Sequence, residues 1–223
     1  SQLKNGRKKL VLIANKKNKA FTMNSFSKSL RLMGNNFTIT VVSEDRITAD
    51  CHIDIAIAEI QRIEKLFTTF DPNSQTNLIN EYAGIKPVVV DEEVFKLIER
   101  SITISNLTQG AFDITYGSID KGLWNFDTNM TALPSHEIAK KMVYLINYRN
   151  IILNKEQLSV MLLNKGMRIG FGGIGKGYAA EMAKKKLVER NVLSGIINAS
   201  GDLTTWGTQA SGKPWTIGIA HPD

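Results

Sequence analysis

The chain has 223 residues, and its formal net charge of +7 is unevenly distributed. Residues 1–31 contain nine Lys or Arg and no acidic residue, so the remaining residues carry a net charge of −2. A nucleic-acid-binding domain needs basic residues spread over a folded surface, and we therefore expect no nucleic-acid partner. Residues 1–31 are predicted to form a weakly ordered arm that is solvated or lies near a membrane.

The composition is that of an ordinary globular domain, with 43% hydrophobic and 22% charged residues. The single cysteine, Cys51, excludes an intrachain disulfide, and we interpret it as a small buried apolar residue rather than a nucleophile. The longest apolar run near the N-terminus, residues 10–14, is too short for a membrane span or a signal-peptide core.

The hydrophobic pattern predicts helices early in the chain and mostly strands late in it. The predicted elements are a strand at residues 37–42, helices at 54–70, 91–110 and from 135, strands at 150–153, 158–163 and 167–169, a helix at 178–190, and strands at 196–199, 202–207 and 215–220. Asp91 is expected to cap its helix, and Leu107 to face inward. This order predicts an α+β fold rather than regular βαβ alternation.

The strongest functional signal is the glycine segment, residues 170–177, which reads Gly-Phe-Gly-Gly-Ile-Gly-Lys-Gly. A strand is predicted before it and a helix after it, so its backbone N–H groups would bind phosphate at a helix N-terminus. It comes too late in the chain for a Rossmann unit, and a P-loop needs Ser or Thr where this chain has Gly177. A phosphate site and a helix start that needs glycine only for close packing both remain open.

A second signal is the stretch Gly-Ala-Phe-Asp-Ile-Thr-Tyr-Gly at residues 110–117, which leads to Leu123-Trp124. Asp113 and Thr115 are candidates either for hydrogen bonds to a ligand or for satisfying local backbone groups. The three histidines lack metal-ligand spacing, and Ser200 has no nucleophile motif around it. The residues alone therefore lead to an α+β domain with a candidate phosphate-bearing ligand.

Five segments in chain order resemble the FAD:protein FMN transferase family, ApbE, once described as thiamine-biosynthesis lipoproteins. These segments are Leu32-Met33-Gly34 and residues 70–80, 110–124, 172–179 and 198–206. The resemblance covers roughly residues 32–223 and implies one ApbE-like, T-fold-related α+β domain. Family members usually continue past the position of Asp223, so the resemblance implies that the domain is C-terminally truncated here. The stretch beyond carries the family's Asp and Thr ligands for Mg²⁺.

The resemblance implies Mg²⁺-dependent transfer of FMN from FAD, through its phosphate, to a threonine of a target flavoprotein, with release of AMP. Hydrolysis of FAD, or FAD binding without catalysis, are the alternatives. By position, the resemblance assigns FAD contacts to Met33, Ala111, Phe112, Asp113, Gly170 and Lys176, and a Mg²⁺ ligand to the backbone carbonyl of Gly173. The family often has Asp where this chain has Gly170, so that side-chain contact is lost or replaced. The catalytic base stays unassigned.

The resemblance also implies a location on the periplasmic side of the inner membrane, as a lipoprotein. Membrane contact would come through a lipid anchor or through the basic residues 1–31. No signal or lipid-attachment cysteine is visible, and Cys51 lies inside the predicted domain, where it cannot serve as an N-terminal anchor.

Overall fold

The computed structural model describes residues 22–119 and 135–218. The elements in chain order are β1 (Asn24–Leu32), β2 (Asn35–Ser43), α1 (Arg46–Phe67), α2 (Gln75–Glu81), β3 (Val88–Val89), α3 (Glu92–Leu107), a 3-10 helix at Ile114–Ser118, α4 (His136–Tyr144), a 3-10 helix at Tyr148–Asn150, β4 (Ile151–Asn154), β5 (Ser159–Leu162), α5 (Gly175–Val188), β6 (Gly195–Ala199) and β7 (Asp202–Trp206). Residues 1–21 of the predicted arm and the Leu123-Trp124 pair lie outside the described residues.

Two antiparallel sheets organise the part of the chain that the structure describes. The first has the strand order β1-β2-β6-β7, and the second has the order β3-β5-β4. Helices α1 and α5 pack against each other and both lie on the first sheet. This arrangement separates helices from sheets rather than alternating them, and it confirms the predicted α+β class.

The core follows directly from the spacing of apolar residues in α1 and β2. The buried apolar residues of α1 recur every three or four positions, so they fall on one face of the helix: Ala49, Ile53, Ala56, Ile60, Ile63 and Phe67. In β2, every second residue from Phe37 to Val41 points inward and is fully buried. Burying one such isoleucine or phenylalanine stabilises the fold by about 1.5–3 kcal/mol.

Strand β1 corrects the predicted boundary of the basic arm. Residues 24–31, which were expected to be weakly ordered, belong to a strand that pairs with β2 along its whole length. Most of its side chains are exposed, because β1 is an edge strand of the sheet. Its apolar residues Phe26, Leu30 and Leu32 do alternate with polar ones, but Lys28 interrupts the series, and the strand was not predicted from the sequence.

Other differences concern the ends of elements. Helix α1 begins at Arg46 rather than residue 54, because Asp45 caps it by accepting a hydrogen bond from the Thr48 amide. The short helix α2 was not predicted, and the predicted strand at residues 167–169 is an irregular extended segment. Residues 215–218, the described part of the last predicted strand, are not in a strand.

Three side chains differ from their predicted roles or surroundings. Asp91 precedes α3 as predicted, but its carboxylate accepts a hydrogen bond from Gln75 rather than from its own helix. The prediction that Leu107 faces inward is wrong, since its side chain is 79% exposed. Cys51 is exposed on α1, so its interpretation as a buried residue is also wrong. Within the described residues, no helix has both the length and the apolar character needed to cross a membrane.

The packing of α1 predicts a clear contrast between two of its isoleucines. We expect Ile60→Ala to lower the free energy of unfolding by about 2–5 kcal/mol, because Ile60 is fully buried and truncation leaves a cavity. Ile47→Ala is the matched control, since Ile47 is 84% exposed on the same helix, and its loss should stay below about 0.5 kcal/mol. Urea denaturation measures both values, and equal losses would contradict this view of the core.

Candidate functional site

The glycine segment forms a tight turn that opens helix α5. The carbonyl of Phe171 accepts hydrogen bonds from the amides of Ile174, at 3.1 Å, and Gly175, at 2.6 Å. Phe171 itself is buried, and its ring lies 4.5 Å from the ring of Phe67 on α1. The segment is therefore fixed to the core at Phe171, while Gly172 and Gly173, which follow, are exposed.

The start of α5 has the features of an anion-binding site. The first N–H groups of a helix lack intrahelical partners, and the helix dipole places partial positive charge there. At this helix start the capping residue is Ile174, whose side chain makes no capping hydrogen bond. A phosphate group can therefore accept hydrogen bonds from the amides of the first turn, which includes Lys176 and Gly177.

Met33 lies next to this helix start, at the tip of the hairpin formed by β1 and β2. Met33 and Gly34 form a two-residue turn between β1 and β2, with φ angles of 50° and 73°. Both angles are left-handed, as a type I′ hairpin turn requires. The Met33 Cε atom lies 3.5 Å from where a Cβ atom on Gly175 would stand. The structure therefore brings this predicted FAD contact next to the glycine segment.

Phe112 reaches the same place from the end of α3. Its Cε2 atom lies 3.2 Å from where a Cβ atom on Gly173 would stand, closer than ordinary side-chain contacts. Ala111, the preceding residue, is exposed. Gly173 thus has a packing role as well as a predicted ligand role, because any side chain there would have to displace the Phe112 ring.

The Asp113 carboxylate is hydrogen-bonded to other groups of this chain. One carboxylate oxygen accepts hydrogen bonds from the Thr115 amide, at 2.8 Å, and the Thr115 hydroxyl, at 2.6 Å. The other oxygen accepts from the Tyr148 amide at 3.0 Å. The carboxylate therefore fixes the loop between α3 and the following 3-10 helix, which is the structural alternative that the sequence left open. A direct contact with FAD stays a prediction.

Gly170 lies at the entrance of the glycine segment. Its amide donates to the Ile114 carbonyl at 3.1 Å, next to Asp113. A Cβ atom on Gly170 would have no neighbouring atom within 4 Å, so the position is open toward solvent. The structure is compatible with the predicted ligand contact at this backbone position, which stays a prediction.

Lys176 joins the helix start to the turn between β6 and β7. Its Nζ atom lies 3.6 Å from the Asp202 carboxylate and 3.5 Å from the Ser200 carbonyl. The Ser200 hydroxyl in turn donates to the Asn36 carbonyl at the beginning of β2. Two hairpin turns and the start of α5 therefore meet on one surface, with a lysine between them.

Asn80 and Ser118 position the extended segment that leads into the glycines, and sequence reasoning assigned them no such role. The buried Asn80 side chain bonds both backbone polar groups of Ile169, at 2.7 and 3.1 Å. The Ser118 hydroxyl bonds both backbone polar groups of Arg168, at 2.9 and 3.1 Å. A Cβ atom on Gly117 would come within 3.0 Å of the Ile169 backbone, so this glycine permits a close approach. Asn80 and Ser118 both fall inside segments that carry the family resemblance, residues 70–80 and 110–124, and that position in the motifs was the available signal.

A charged group lies behind the helix start and was also missed. Arg62 donates two hydrogen bonds to Glu93, at 2.7 and 2.9 Å, and two to Glu59, at 2.8 and 3.0 Å. The Tyr178 hydroxyl donates to Glu93 at 2.8 Å. The hydrogen bonds from Arg62 lower the pKa of Glu93, and burial, followed by the bond to Glu93, raises the pKa of Tyr178. Glu93 therefore stays charged and the Tyr178 hydroxyl stays protonated at neutral pH.

The described residues do not by themselves fit a Mg²⁺ ion. Within residues 22–119 and 135–218, no group of three or more His, Cys, Asp or Glu is arranged to hold a metal. The Gly173 carbonyl would offer one oxygen, whereas Mg²⁺ requires near-octahedral coordination by oxygen atoms. The helix start, in contrast, fits the diphosphate of a dinucleotide through its backbone N–H groups and Lys176.

The fold and this glycine-rich helix start agree with one protein family. The model of the ApbE family matches residues 33–223, and the chain therefore belongs to the ApbE family. The chain is 30% identical over 197 residues to the FAD:protein FMN transferase of Klebsiella pneumoniae (strain 342) and 24% identical over 212 residues to that of Treponema pallidum (strain Nichols). These alignments cover 88% of this chain but only 59% and 58% of those proteins.

Solved structures agree with the fold. The crystal structure of the ApbE protein of Thermotoga maritima has a TM-score of 0.80 and 28% identity, covering 89% of this chain and 64% of that chain. The apo form of the Pseudomonas stutzeri flavinyl transferase ApbE has a TM-score of 0.77 and 21% identity, with 90% and 63% covered. The predicted family and the ApbE-like fold are confirmed, and the chain spans about three-fifths of the length of these relatives.

The Glu93 ion pair predicts a pH-dependent stability. Because the pKa of Glu93 is lower in the folded protein than its ordinary value of 4.5, its contribution is fully present above pH 4.5 and is lost as the pH falls through the folded pKa. We expect Glu93→Gln to lower the free energy of unfolding at pH 7 by about 1–2 kcal/mol, and the difference from wild type to shrink below pH 4.5.

The neighbouring Glu92 provides the control. It pairs with Lys96 on the surface, where both side chains are about two-thirds exposed. Glu92→Gln should therefore cost less than about 0.5 kcal/mol. Denaturant titrations of both variants from pH 3 to pH 8 test the difference. A pH-independent loss in Glu93→Gln would contradict the expected role of the ion pair.

Proposed function

We propose that the protein is an FAD:protein FMN transferase that binds FAD and transfers FMN to a threonine of a target flavoprotein, releasing AMP. The observation that carries this proposal is the meeting of Met33, Phe112 and Lys176 around the glycine-rich start of α5. Membership of the ApbE family, whose curated relatives bear this activity in their names, supports it.

The residues at the helix start offer suitable contacts for the diphosphate of FAD and for a planar ring. The amides of the first turn of α5 and the Lys176 ammonium would bind the diphosphate. Met33 and Phe112 offer apolar and aromatic surface for a planar ring system. The exposed glycines at positions 172 and 173 allow the ligand to approach the backbone closely.

In the proposed reaction, the threonine oxygen attacks the phosphorus of the FMN half of FAD. A new oxygen–phosphorus bond forms, the diphosphate bond to AMP breaks, and the hydroxyl proton passes to a base. AMP leaves with the bridging oxygen. Charge grows on the transferred phosphoryl group and on AMP, and the helix start would stabilise it without reorganisation.

We also propose that the activity requires Mg²⁺, with the Gly173 carbonyl as one ligand. The further oxygen ligands would come from outside the described residues, since these contain no cluster suited to a metal. The proposed acceptor is a carrier flavoprotein domain with an exposed threonine.

The decisive assay uses protein expressed from its complete coding sequence, incubated with FAD, Mg²⁺ and such a carrier domain. Transfer predicts an FMN-sized mass gain on a carrier threonine, an equal amount of AMP, and loss of both with EDTA. Free FMN and AMP without a carrier would indicate hydrolysis instead. FAD binding without either product would indicate a binding protein, and absence of FAD binding would overturn the proposal.

Lys176 gives a specific test of the binding site. We expect Lys176→Met to weaken FAD binding about tenfold, because a charge-assisted contact to the diphosphate is lost. Lys184→Met is a matched control, since Lys184 lies on the same helix, contacts Thr204 of β7, and is 25% exposed against 23% for Lys176. Calorimetric titration with FAD measures both affinities, and an equal loss in the control would contradict a direct role.

We propose, finally, that the protein acts on the periplasmic side of the inner membrane and that residues 1–21 contact anionic lipid. This segment holds seven of the basic residues, each worth about 1 kcal/mol near an anionic surface. Deleting residues 1–21 leaves β1 whole and should abolish sedimentation with phosphatidylserine vesicles, and phosphatidylcholine vesicles serve as the control. Binding that survives the deletion would refute this role.

A further inference from the structure

The group formed by Arg62, Glu93 and Tyr178 lies directly behind the helix start. None of these three residues is among the proposed FAD contacts. Tyr178 follows Lys176 by two positions and belongs to the first turn of α5. Its hydroxyl donates to Glu93 on α3 at 2.8 Å, and Glu93 accepts two hydrogen bonds from Arg62 on α1. The first turn of α5 is thus tied to two other helices.

The aromatic ring of Tyr178 adds a second attachment. It meets the ring of Phe67 on α1 edge to face, with centroids 5.6 Å apart and an angle of 82°. The same Phe67 ring packs against Phe171, with centroids 4.5 Å apart. Phe171 and Tyr178 bracket the exposed part of the glycine segment, so both of its ends are held by one side chain of the core.

The hydrogen bond from Tyr178 has a well-fixed acceptor. The two donors from Arg62 form a fork that sets the plane of the Glu93 carboxylate, and the other side of Arg62 is held by Glu59, which is 8% exposed. Lys186 on α5 adds a favourable charge near Glu93. The Tyr178 hydroxyl therefore donates to a carboxylate whose orientation is fixed. This hydrogen bond restricts the direction of the helix.

We infer that Tyr178 is a positioning residue for the glycine segment: its hydrogen bond to Glu93 fixes the direction of the first turn of α5. That direction sets where the backbone N–H groups and the Lys176 ammonium point. The inference rests on the proposed function, because FAD is the ligand to which these groups would be directed. Small displacements of binding groups matter for affinity and rate, since both depend on preorganised geometry.

The test begins with Tyr178→Phe, which keeps the ring against Phe67 and removes only the hydroxyl. We expect the dissociation constant for FAD to rise about threefold to tenfold. This change corresponds to the free energy of about one hydrogen bond. The KM for FAD should rise in parallel, with a smaller change in kcat. Glu93→Ala should match Tyr178→Phe, whereas Glu93→Gln keeps an acceptor oxygen for the hydroxyl and should retain more of the affinity.

Thr204→Val is the matched control. The Thr204 hydroxyl donates to Glu181 on α5 at 2.8 Å, so this variant also removes one hydroxyl-to-carboxylate bond, but one in the second turn of the helix. We expect FAD affinity within twofold of wild type in this variant, even where its melting temperature falls as much as that of Tyr178→Phe. Equal affinity losses in the two variants would overturn the inference, as would wild-type affinity in Tyr178→Phe.

Hydrogen exchange provides a readout that does not need FAD. Amides at residues 172–178 should exchange faster in Tyr178→Phe than in Thr204→Val, because only the former loosens the first turn. Unchanged exchange there would overturn the inference by itself. Failure of the wild-type protein to bind FAD would overturn the proposed function, and the positioning role would then be decided by the exchange result alone.

Discussion

The packing of Phe67 against Phe171 and Tyr178 is the contact on which the rest of the site depends. It joins the last turn of α1 to both ends of the exposed glycines, so that a flexible sequence adopts one conformation. Glycine loses more conformational freedom on folding than any other residue, and a run of glycines needs such external support to stay ordered. The core of α1 therefore stabilises the fold and shapes the ligand surface at the same time.

The segment before the glycines is held by side chains rather than by a sheet. The Asn80 side chain hydrogen-bonds to both the N–H and the C=O group of Ile169, as a neighbouring strand would. Ser118 does the same for Arg168. A side-chain amide in this role satisfies buried backbone groups without adding a strand that would cover the surface. The glycine segment can consequently leave the core in a fixed direction and still face solvent, which is the combination that a binding site for a large dinucleotide requires.

Sequence periodicity predicted the parts of the fold whose apolar residues repeat at helical or strand spacing. Strand β2 and most of α1 are of this kind, whereas the edge strand β1 has an alternation that Lys28 interrupts, and its pairing with β2 fixes its structure. For the site, motif order identified the family and the glycine segment. The link from Tyr178 to Glu93 joins residues 85 positions apart, and no local pattern encodes a contact of that range. Asp113 was only partly readable for the same reason: its Thr115 partner is two residues away, but its Tyr148 partner comes 35 residues later.

The charge distribution gives these local contacts their importance. Residues 32–223 carry a net charge of −2, so an anionic ligand gains nothing from the overall charge of the domain. The ammonium of Lys176 is itself partly neutralised by Asp202 at 3.6 Å. Attraction for a diphosphate at this surface must then come mainly from the oriented amides of the first turn of α5, whose effect is short-ranged and depends on direction. In the proposed FAD site, binding of this kind requires that the helix start be held firmly, and the aromatic and hydrogen-bonded attachments of Tyr178 meet that requirement.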